Sequence, residues 1–194
     1  MLKIESTKLE SYSSDHSTSP PVITMPRAFN AAHDLLERNI LAGRSEKVAY
    51  IDDSGSYTYD DLKLRVNQSG NALRKLGLNM EDRVMIVHSD TIDFPAVFLG
   101  AIKAGIVPIA VNTLLTPSDY EFMMEDSRAK ALIVASPFLD NLGEAIANSN
   151  HLEHIIVSGE PSPQHHHLQS LQSQSDGECE PAITSCDDTC FWLY

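Results

Sequence analysis

The sequence has 194 residues, enough for one hydrophobic core, and 42% of them are hydrophobic, as in ordinary globular domains. Acidic residues (27) outnumber basic ones (14), and the net charge of −13 argues against binding to the phosphate backbone of nucleic acids. We find no secretory signal and no apolar run near the ~20 residues of a membrane helix, so we expect a cytoplasmic protein with neither a nucleic-acid nor a membrane partner.

The first part of the chain predicts a leader, a helix and a hairpin. Residues 1–26 are rich in Ser, Thr and Pro, which is typical of a flexible leader. Apolar side chains recur at helical spacing over residues 29–41. Residues 47–52 and 56–58 flank the turn sequence Asp53-Ser54-Gly55, so we expect a β-hairpin there.

A long helix should follow this hairpin and end near Leu76. Thr58 can cap its first amides, and Asp61, three residues later, completes a capping box. Four apolar residues share one face and should point into the core: Leu62, Val66, Leu73 and Leu76.

The centre of the sequence predicts a strand–helix–strand unit. Residues 84–87 are an unbroken apolar run that suits a strand buried on both faces. A helix over 94–104 must begin close to residues 91–93, because Pro95 is tolerated only in a first turn, and Gly105 should stop it. A second strand over 106–111 follows at once, so the two strands should be parallel.

The same alternation continues after this unit. Thr116 should cap a helix that has Pro117 in its first turn, with Asp119 completing the capping box. A buried strand is predicted over 131–135, and a single helix should start at Ser136-Pro137. The helix from Thr116 should turn Tyr120, Met123 and Met124 inward, and the helix from Ser136 should turn Phe138, Leu139, Leu142, Ala145 and Ile146 inward.

With a further strand over 154–157, the alternation predicts an α/β fold with a parallel sheet and helices on both faces. Residues 160–186 are rich in Gln, Ser, His and Pro and predict a long, low-complexity loop. The aromatic run 190–194 predicts a terminal strand.

Several motifs resemble those of the adenylate-forming (AMP-binding) enzymes, which include the acyl-CoA synthetases. F-L-G-A-I-K-A-G-I-V-P at residues 98–108 resembles their helix–glycine–strand motif. S-Y-T-Y-D-D-L at 56–62 is similar to their early T-Y-x-E-L motif, with Asp61 in place of the usual Glu. The stretches 50–59, 93–102 and 111–120 look most like the benzoate-CoA ligase branch.

The resemblance implies the N-terminal subdomain of the adenylate-forming fold. It divides the chain into a leader (1–26), a subdomain (27–159), a loop (160–186) and a terminal strand (187–194). In that family a Ser/Thr/Gly-rich phosphate loop ending in Lys follows this strand, so the resemblance implies a fragment that stops just before it. The sequence contains neither G-x-x-x-x-G-K-[ST] nor G-x-G-x-x-G.

The reaction that the resemblance implies for a full-length parent has two steps. A carboxylate attacks the α-phosphate of ATP, which gives an acyl-adenylate and pyrophosphate, and a thiol, usually coenzyme A, then displaces AMP. ATP, Mg²⁺ and coenzyme A are implied for that parent, with a small carboxylate, aromatic in this branch, as substrate. The family's catalytic groups lie in the missing C-terminal portion, so we assign this chain no catalytic, cofactor-binding or metal residue and expect it to be inactive alone.

A zinc site is the first candidate that the residues themselves raise. It would use His165-His166-His167 with Cys179, Cys186 and Cys190, but these cysteines are widely spaced, whereas structural zinc sites use tightly spaced ligand pairs. A loop without metal is the preferred interpretation.

Other candidates also have simpler explanations. His88 follows a predicted parallel strand, where open α/β sheets place ligands, but a capping or packing role is preferred. Asp52-Asp53 and Asp187-Asp188 could act as paired carboxylates, although a turn and a solvated loop explain them. Lys103, near a helix end, is interpreted as a complement to the helix dipole.

Two functions therefore remain open for this sequence. The first is a fragment of an AMP-dependent acid–thiol ligase, with the benzoate-like motifs pointing to an aromatic acid. The second is a stand-alone, non-catalytic α/β module for binding or interaction. Because function lies in sites rather than in folds, the scaffold alone does not decide between them.

Overall fold

The computed structural model describes residues 9–194. Its strands are β1 (Ser13–Asp15), β2 (Val22–Thr24), β3 (Val48–Asp52), β4 (Gly55–Thr58), β5 (Arg83–Val87), β6 (Val107–Ala110), β7 (Ala131–Ala135), β8 (His154–Ser158) and β9 (His166–His167). Its α-helices are α1 (Ala31–Leu41), α2 (Tyr59–Lys75), α3 (Asp93–Ala104), α4 (Pro117–Ser127), α5 (Gly143–Asn148) and α6 (Leu168–Ser173). None of the helices in the described range is both long and apolar enough to span a membrane.

Five parallel strands form the central sheet in the order β6-β5-β7-β8-β9. β5 lies between β6 and β7, so Val84 faces Pro108 on one side and Ala131 on the other. The strand–helix–strand unit predicted around residue 94 is therefore confirmed, and its two strands are parallel.

Side chains of successive strand residues point to opposite faces of the sheet, and each face is buried. Val84 and Ile86 join one apolar cluster, which includes residues of α2, α3 and α6. Met85 and Val87 join a second cluster, formed with residues of α4 and α5. Helices therefore cover both faces, which confirms the predicted α/β architecture.

Local capping chemistry sets the ends of three helices as predicted. The Thr58 hydroxyl accepts from the Asp61 amide, and the Asp61 carboxylate accepts from the Thr58 amide, which is a complete capping box. Thr116 and Asp119 do the same for α4. Gly105 ends α3 with φ of 81°, a left-handed conformation that glycine adopts without strain.

The helices α2 and α3 cross at two glycines. A Cβ placed on Gly100 would lie 2.7 Å from the Ser69 Cβ and 2.8 Å from the Val66 carbonyl oxygen. One placed on Gly70 would lie 2.9 Å from the Gly100 carbonyl oxygen. The missing side chains let the backbones of α2 and α3 approach closely.

The predictions for the leader and for residues 136–148 need correction. Within the leader, β1 and β2 pair as an antiparallel hairpin, while residues 1–8 lie outside the described range. The single helix predicted from Ser136 is instead two 3₁₀ turns (Ser136–Phe138 and Asp140–Leu142) followed by α5. Gly143 lies at the junction, and glycine has a low helix propensity, so a single continuous helix is not favoured there.

The predicted loop 160–186 is also wrong in part, because it contains β9 and α6. The segment that follows, 174–186, is held by side chains of α2. The Asn71 amide nitrogen donates to the carbonyls of Asp176 and Glu178, and Arg74 donates to that of Glu180. These contacts join residues that are far apart in the sequence, so the local composition does not predict them and indicates a loop instead.

The terminal strand predicted over 190–194 is wrong, because only an isolated parallel bridge forms there, between Ile109 and Trp192. The Trp192 amide donates to the Pro108 carbonyl at 3.0 Å. Proline has no backbone N–H, so Pro108 accepts this hydrogen bond but cannot donate one to the terminal segment. This lack of a donor disfavours a continuous ladder of hydrogen bonds along this edge of β6.

Candidate functional site at the carboxyl edge of the sheet

The carboxyl ends of the parallel strands meet at one edge of the sheet and enclose a cleft of about 500 Å³. Residues that follow β5 and β6 line it, among them His88, Asp90, Asn112 and Thr113. Ligands of open α/β sheets bind in crevices outside the carboxyl ends of the strands. This cleft is therefore the candidate functional site.

His88 lies in the wall of the cleft and is 8% exposed. Its Nδ1 is 2.8 Å from the Ser89 carbonyl oxygen. A carbonyl oxygen only accepts, so Nδ1 carries the proton, and in the neutral ring Nε2 is left as an acceptor. This Nε2 is buried and has no hydrogen-bond partner among the described residues. The burial of His88 is consistent with the predicted packing role. Packing alone does not explain why its buried Nε2 lacks a hydrogen-bond partner.

Asp93, at the first position of α3, joins four elements behind the cleft. Its Oδ2 accepts from the Ser158 hydroxyl at 2.7 Å and from the Gln169 amide at 2.6 Å. Arg65 on α2 lies 3.7 Å from Oδ1. Sequence reasoning did not identify this network, and only the helix-start position of Asp93 gave any signal, since acidic residues favour that end. The carboxylate links the end of β8, the first turn of α6 and the interior of α2 to the start of α3.

Asp52 binds backbone amides and does not form a carboxylate pair with Asp53. Its Oδ1 accepts from the amides of Ser54 and Gly55 in the hairpin turn. Its Oδ2 accepts from the Ile92 amide at 2.9 Å, and this bond is the main cause that lowers the pKa of Asp52. The predicted turn is present, and the same carboxylate also fastens the β3–β4 hairpin to the loop before α3.

Lys103 lies in the last turn of α3, the position in which a cation complements the helix dipole, and the structure adds that it is buried there. Its side chain is 2% exposed, and Nζ donates to the Asn67 Oδ1 at 2.6 Å. Burial removes water from the ammonium group and lowers the pKa of Lys103. Because α3 runs back across the sheet, its end lies at the amino edge of the strands, and Lys103 belongs to the packing there.

The histidine run and the cysteines are not brought together. His166 stacks on His154 with ring centroids 5.7 Å apart. His167 contacts the Gly159 carbonyl through Nε2 and the Ser170 hydroxyl through Nδ1. Across residues 9–194, no three His, Cys, Asp or Glu side chains lie close enough together to hold a metal ion.

The three cysteines are free thiols, and the two aspartates of the Asp187-Asp188 pair make separate contacts. Cys179 is buried beside Arg74, and Cys186 and Cys190 lie further along the chain. Asp187 pairs with Arg27 at the surface. Asp188 accepts from the Ser185 amide, so the pair is not arranged for acid–base chemistry.

The groups that line the cleft do not fit a triphosphate. They include the Asp90 carboxylate but no Lys or Arg, the side chains that bind phosphate through charge. The loops of the cleft carry no glycine, so they lack the backbone nests that hold phosphate. The described lining of the cleft therefore provides no positively charged side chain and no glycine-rich loop for phosphate binding.

Comparison with known proteins identifies related ligases. The model of the AMP-binding enzyme family matches residues 36–194. A benzoate–CoA ligase of Thauera aromatica is 51% identical over 181 residues, which are 93% of this chain and 34% of that protein. A 4-hydroxybenzoate–CoA/benzoate–CoA ligase of Rhodopseudomonas palustris is 41% identical over 169 residues, 87% of this chain and 31% of that protein.

Solved structures agree with this result. The structure of a benzoate CoA ligase from Burkholderia xenovorans LB400 superposes with a TM-score of 0.78 at 39% identity, over 86% of this chain and 32% of its own. The structure of the anthranilate CoA ligase AuaEII, in complex with anthranoyl-AMP, superposes with a TM-score of 0.82 at 33% identity, over 86% of this chain and 32% of its own. The chain thus spans about a third of the length of its relatives. With the family model matching most of its residues, the chain belongs to the AMP-binding enzyme family.

Proposed function

We propose that this chain forms the amino-terminal scaffold of an ATP-dependent ligase that joins an aromatic carboxylic acid to coenzyme A. The observation that carries the proposal is the 51% identity to a benzoate–CoA ligase over 93% of the chain. The relatives that act on long-chain fatty acids are only 26–29% identical. Two hydroxybenzoate ligases are equally distant, at 27–28%, whereas the two relatives named as benzoate ligases are 51% and 41% identical, which supports benzoate or a close analogue as the acid.

The reaction of such a ligase uses ATP, Mg²⁺ and coenzyme A, which are available together in the cytoplasm. The acid displaces pyrophosphate from ATP to give an acyl-adenylate, and the thiol of coenzyme A then displaces AMP. The anthranoyl-AMP in the AuaEII structure is an intermediate of this type. We assign no catalytic, cofactor-binding or metal residue to this chain, since the cleft does not fit a triphosphate.

The role we propose for the residues of this chain is positional. Asp52 and Asp93 fix the loop before α3 from both sides, through the Ile92 amide and through Ser158 and Gln169. These contacts hold one wall of the cleft in place without a ligand. A rigid wall lowers the entropy cost of orienting reactants, which is how a scaffold contributes to a bimolecular reaction.

A chimeric enzyme tests the proposal. The matched part of the Thauera aromatica ligase is replaced by this chain, and benzoyl-CoA and AMP are measured with ATP, Mg²⁺ and coenzyme A. We expect benzoate-dependent turnover within about tenfold of the parent and none with palmitate. A folded chimera that binds ATP but makes neither benzoyl-AMP nor benzoyl-CoA contradicts the proposal.

The control is the 194-residue chain alone. A scaffold without phosphate-binding groups should show no saturable binding at millimolar ATP and no turnover of ATP with benzoate. Binding of ATP by the chain alone would contradict the assignment of nucleotide binding to the rest of the protein. The stand-alone module, the other function considered for the sequence, predicts an inactive chimera as well as an inactive chain.

A further inference from the structure

A second cavity lies at the amino edge of the sheet, opposite the cleft. Its volume is about 190 Å³. The turn before β5 and the α3–β6 junction, with Glu81, Gly105 and Ile106, form one side of it. Because β5 has five residues, the two edges are about 16 Å apart. The cavity is therefore separate from the candidate site of the ligase reaction.

Backbone hydrogen bonds fix the walls of this cavity. The Phe29 amide donates to the Thr184 carbonyl at 2.9 Å, and the Thr184 hydroxyl donates to the Phe29 carbonyl at 2.6 Å. The Cys186 amide donates to the Arg27 carbonyl, and the Glu81 amide donates to the Gly105 carbonyl at 2.8 Å. Three distant stretches of chain thus form a preorganised pocket, which lowers the cost of binding.

The size and lining of the cavity favour a single ring. Its apolar lining includes Phe29, Met80, Ile102 and Ile106. An apolar cavity of about 150 Å³ in another protein accommodates benzene, so about 190 Å³ holds a six-membered ring with one small substituent. Thr189 also lines the cavity and offers a hydroxyl group as a polar partner for that substituent.

The charges around the cavity disfavour an anionic ligand. Two carboxylates, those of Glu81 and Asp188, line it, and the lining includes no Lys, Arg or His. Asp188 already accepts from the Ser185 amide. Glu81, in contrast, forms no ion pair within residues 9–194. An amine on the ligand would neutralise this carboxylate, whereas a ligand carboxylate would be repelled.

We propose that this cavity binds a small monocyclic compound that is neutral or carries an amine, of the class of benzyl alcohol and benzylamine. The aromatic acid of the proposed ligase reaction should bind to it more weakly than these compounds.

Titration of the ¹⁵N-labelled 194-residue chain with benzylamine, benzyl alcohol and benzoate tests the proposal, since the three probes share a ring and differ in charge. We expect saturable amide shifts in residues 102–106 and 184–190 with the first two, at dissociation constants on the order of 1 mM. Benzoate should bind at least tenfold more weakly. At ten times the dissociation constant, benzylamine should raise Tm by about 3–5 °C.

Two variants separate this cavity from non-specific binding. Ala31→Leu adds volume at the cavity wall and should abolish the shifts, whereas Ala147→Leu, on the exposed face of α5, should leave them unchanged. Glu81→Gln should weaken the binding of benzylamine until its affinity equals that of benzyl alcohol. The affinity for benzyl alcohol should not change. The proposal is overturned if no probe binds, if benzoate binds as tightly as benzylamine, or if neither Ala31→Leu nor Glu81→Gln changes binding.

Discussion

The Nζ of Lys103 donates to the Oδ1 of Asn67 across 2.6 Å, in a place where the two residues are 2% and 1% exposed. The same Asn67 side chain donates through Nδ2 to the Gly177 carbonyl at 2.7 Å. One amide therefore satisfies a buried ammonium group on α3 and a carbonyl of the 174–186 segment. This contact joins α2, α3 and that segment in the interior.

Replacement of Asn67 by Ala should destabilise the protein strongly. The variant leaves the Lys103 ammonium group buried without its acceptor and the Gly177 carbonyl without its donor. Removing one partner of a buried charge costs about 3–5 kcal/mol. Urea unfolding followed by circular dichroism measures this loss, and the double variant Asn67→Leu/Lys103→Met should recover a large part of it, because the charge is gone as well.

The matched control is Asn71→Ala, one turn further along α2. Asn71 also donates to carbonyls of the 174–186 segment, those of Asp176 and Glu178, but from a more exposed position. Its loss should cost about 1 kcal/mol or less, because water replaces the donor. Equal losses from the two variants would show that the buried lysine adds nothing to the role of Asn67.

Lys103 should also give a definite pH dependence of stability. Its pKa is lowered by burial below the 10.5 of the unfolded chain. Between the lowered pKa and 10.5, the unfolded chain binds more protons than the folded protein, so the free energy of unfolding rises with pH. The burial penalty is thus largest below the lowered pKa and is relieved as the pH increases through it.

The measurement compares the wild type with Lys103→Met from pH 7 upward. We expect the difference in unfolding free energy, wild type minus variant, to increase as the pH approaches 10.5. Burial raises the pKa of the Cys179 thiol, and this thiol interacts electrostatically with Lys103, so both proteins in the comparison carry Cys179→Ala. A difference that stays constant, or that falls with pH, would mean that Lys103 is not held in a desolvated site.

Short-range chemistry explains why much of the fold could be predicted from the sequence. Thr58 and Asp61 are three residues apart, so their capping box can be seen in the sequence itself. The strand at 131–135 is apolar at every position and buried at every position. In such cases a few neighbouring residues decide the structure, and tertiary packing only confirms it.

The contacts that sequence analysis missed join residues far apart in the chain. Lys103 and Asn67 are separated by 36 positions, and Asp93 and Ser158 by 65. Neither residue type indicates its partner, because Lys at a helix end and Asp at a helix start are both favoured by the helix dipole alone. Sequence analysis noted His88 at this edge of the sheet but preferred a capping or packing role for it, and the network around Asp93 became visible only in the structure.

Gly100→Ala should be destabilising although Ala favours helix more than Gly by about 1 kcal/mol. The new Cβ would lie 2.7 Å from the Ser69 Cβ and 2.8 Å from a backbone oxygen of α2, so the two helices must separate. Overpacking of this kind costs about 1–3 kcal/mol, measurable as a lower urea midpoint.

Gly143→Ala is the control within the same protein. Gly143 begins α5, and a Cβ there would meet nothing within 4 Å. The substitution should stabilise the protein by about 0.4–1 kcal/mol, because Ala loses less conformational entropy on folding. If both variants change stability in the same direction, helix propensity rather than the α2–α3 contact determines the outcome.

Trp192→Ala should cost about 1–3 kcal/mol, less than the ~3–5 kcal/mol of a fully buried tryptophan in a terminal strand. Trp192 is only partly buried against the cluster of α4 and α5, and it stacks on Tyr194 with ring centroids 5.7 Å apart. A single bridge holds its backbone to β6. Circular dichroism in urea gives the change in midpoint. Tyr194→Phe, which removes the contacts of the hydroxyl with the Asp126 carboxylate and the Met123 carbonyl at an exposed position, should change the unfolding free energy by less than about 1 kcal/mol. A loss of 4 kcal/mol or more for Trp192→Ala would show that the terminal residues are docked as a full strand of the sheet.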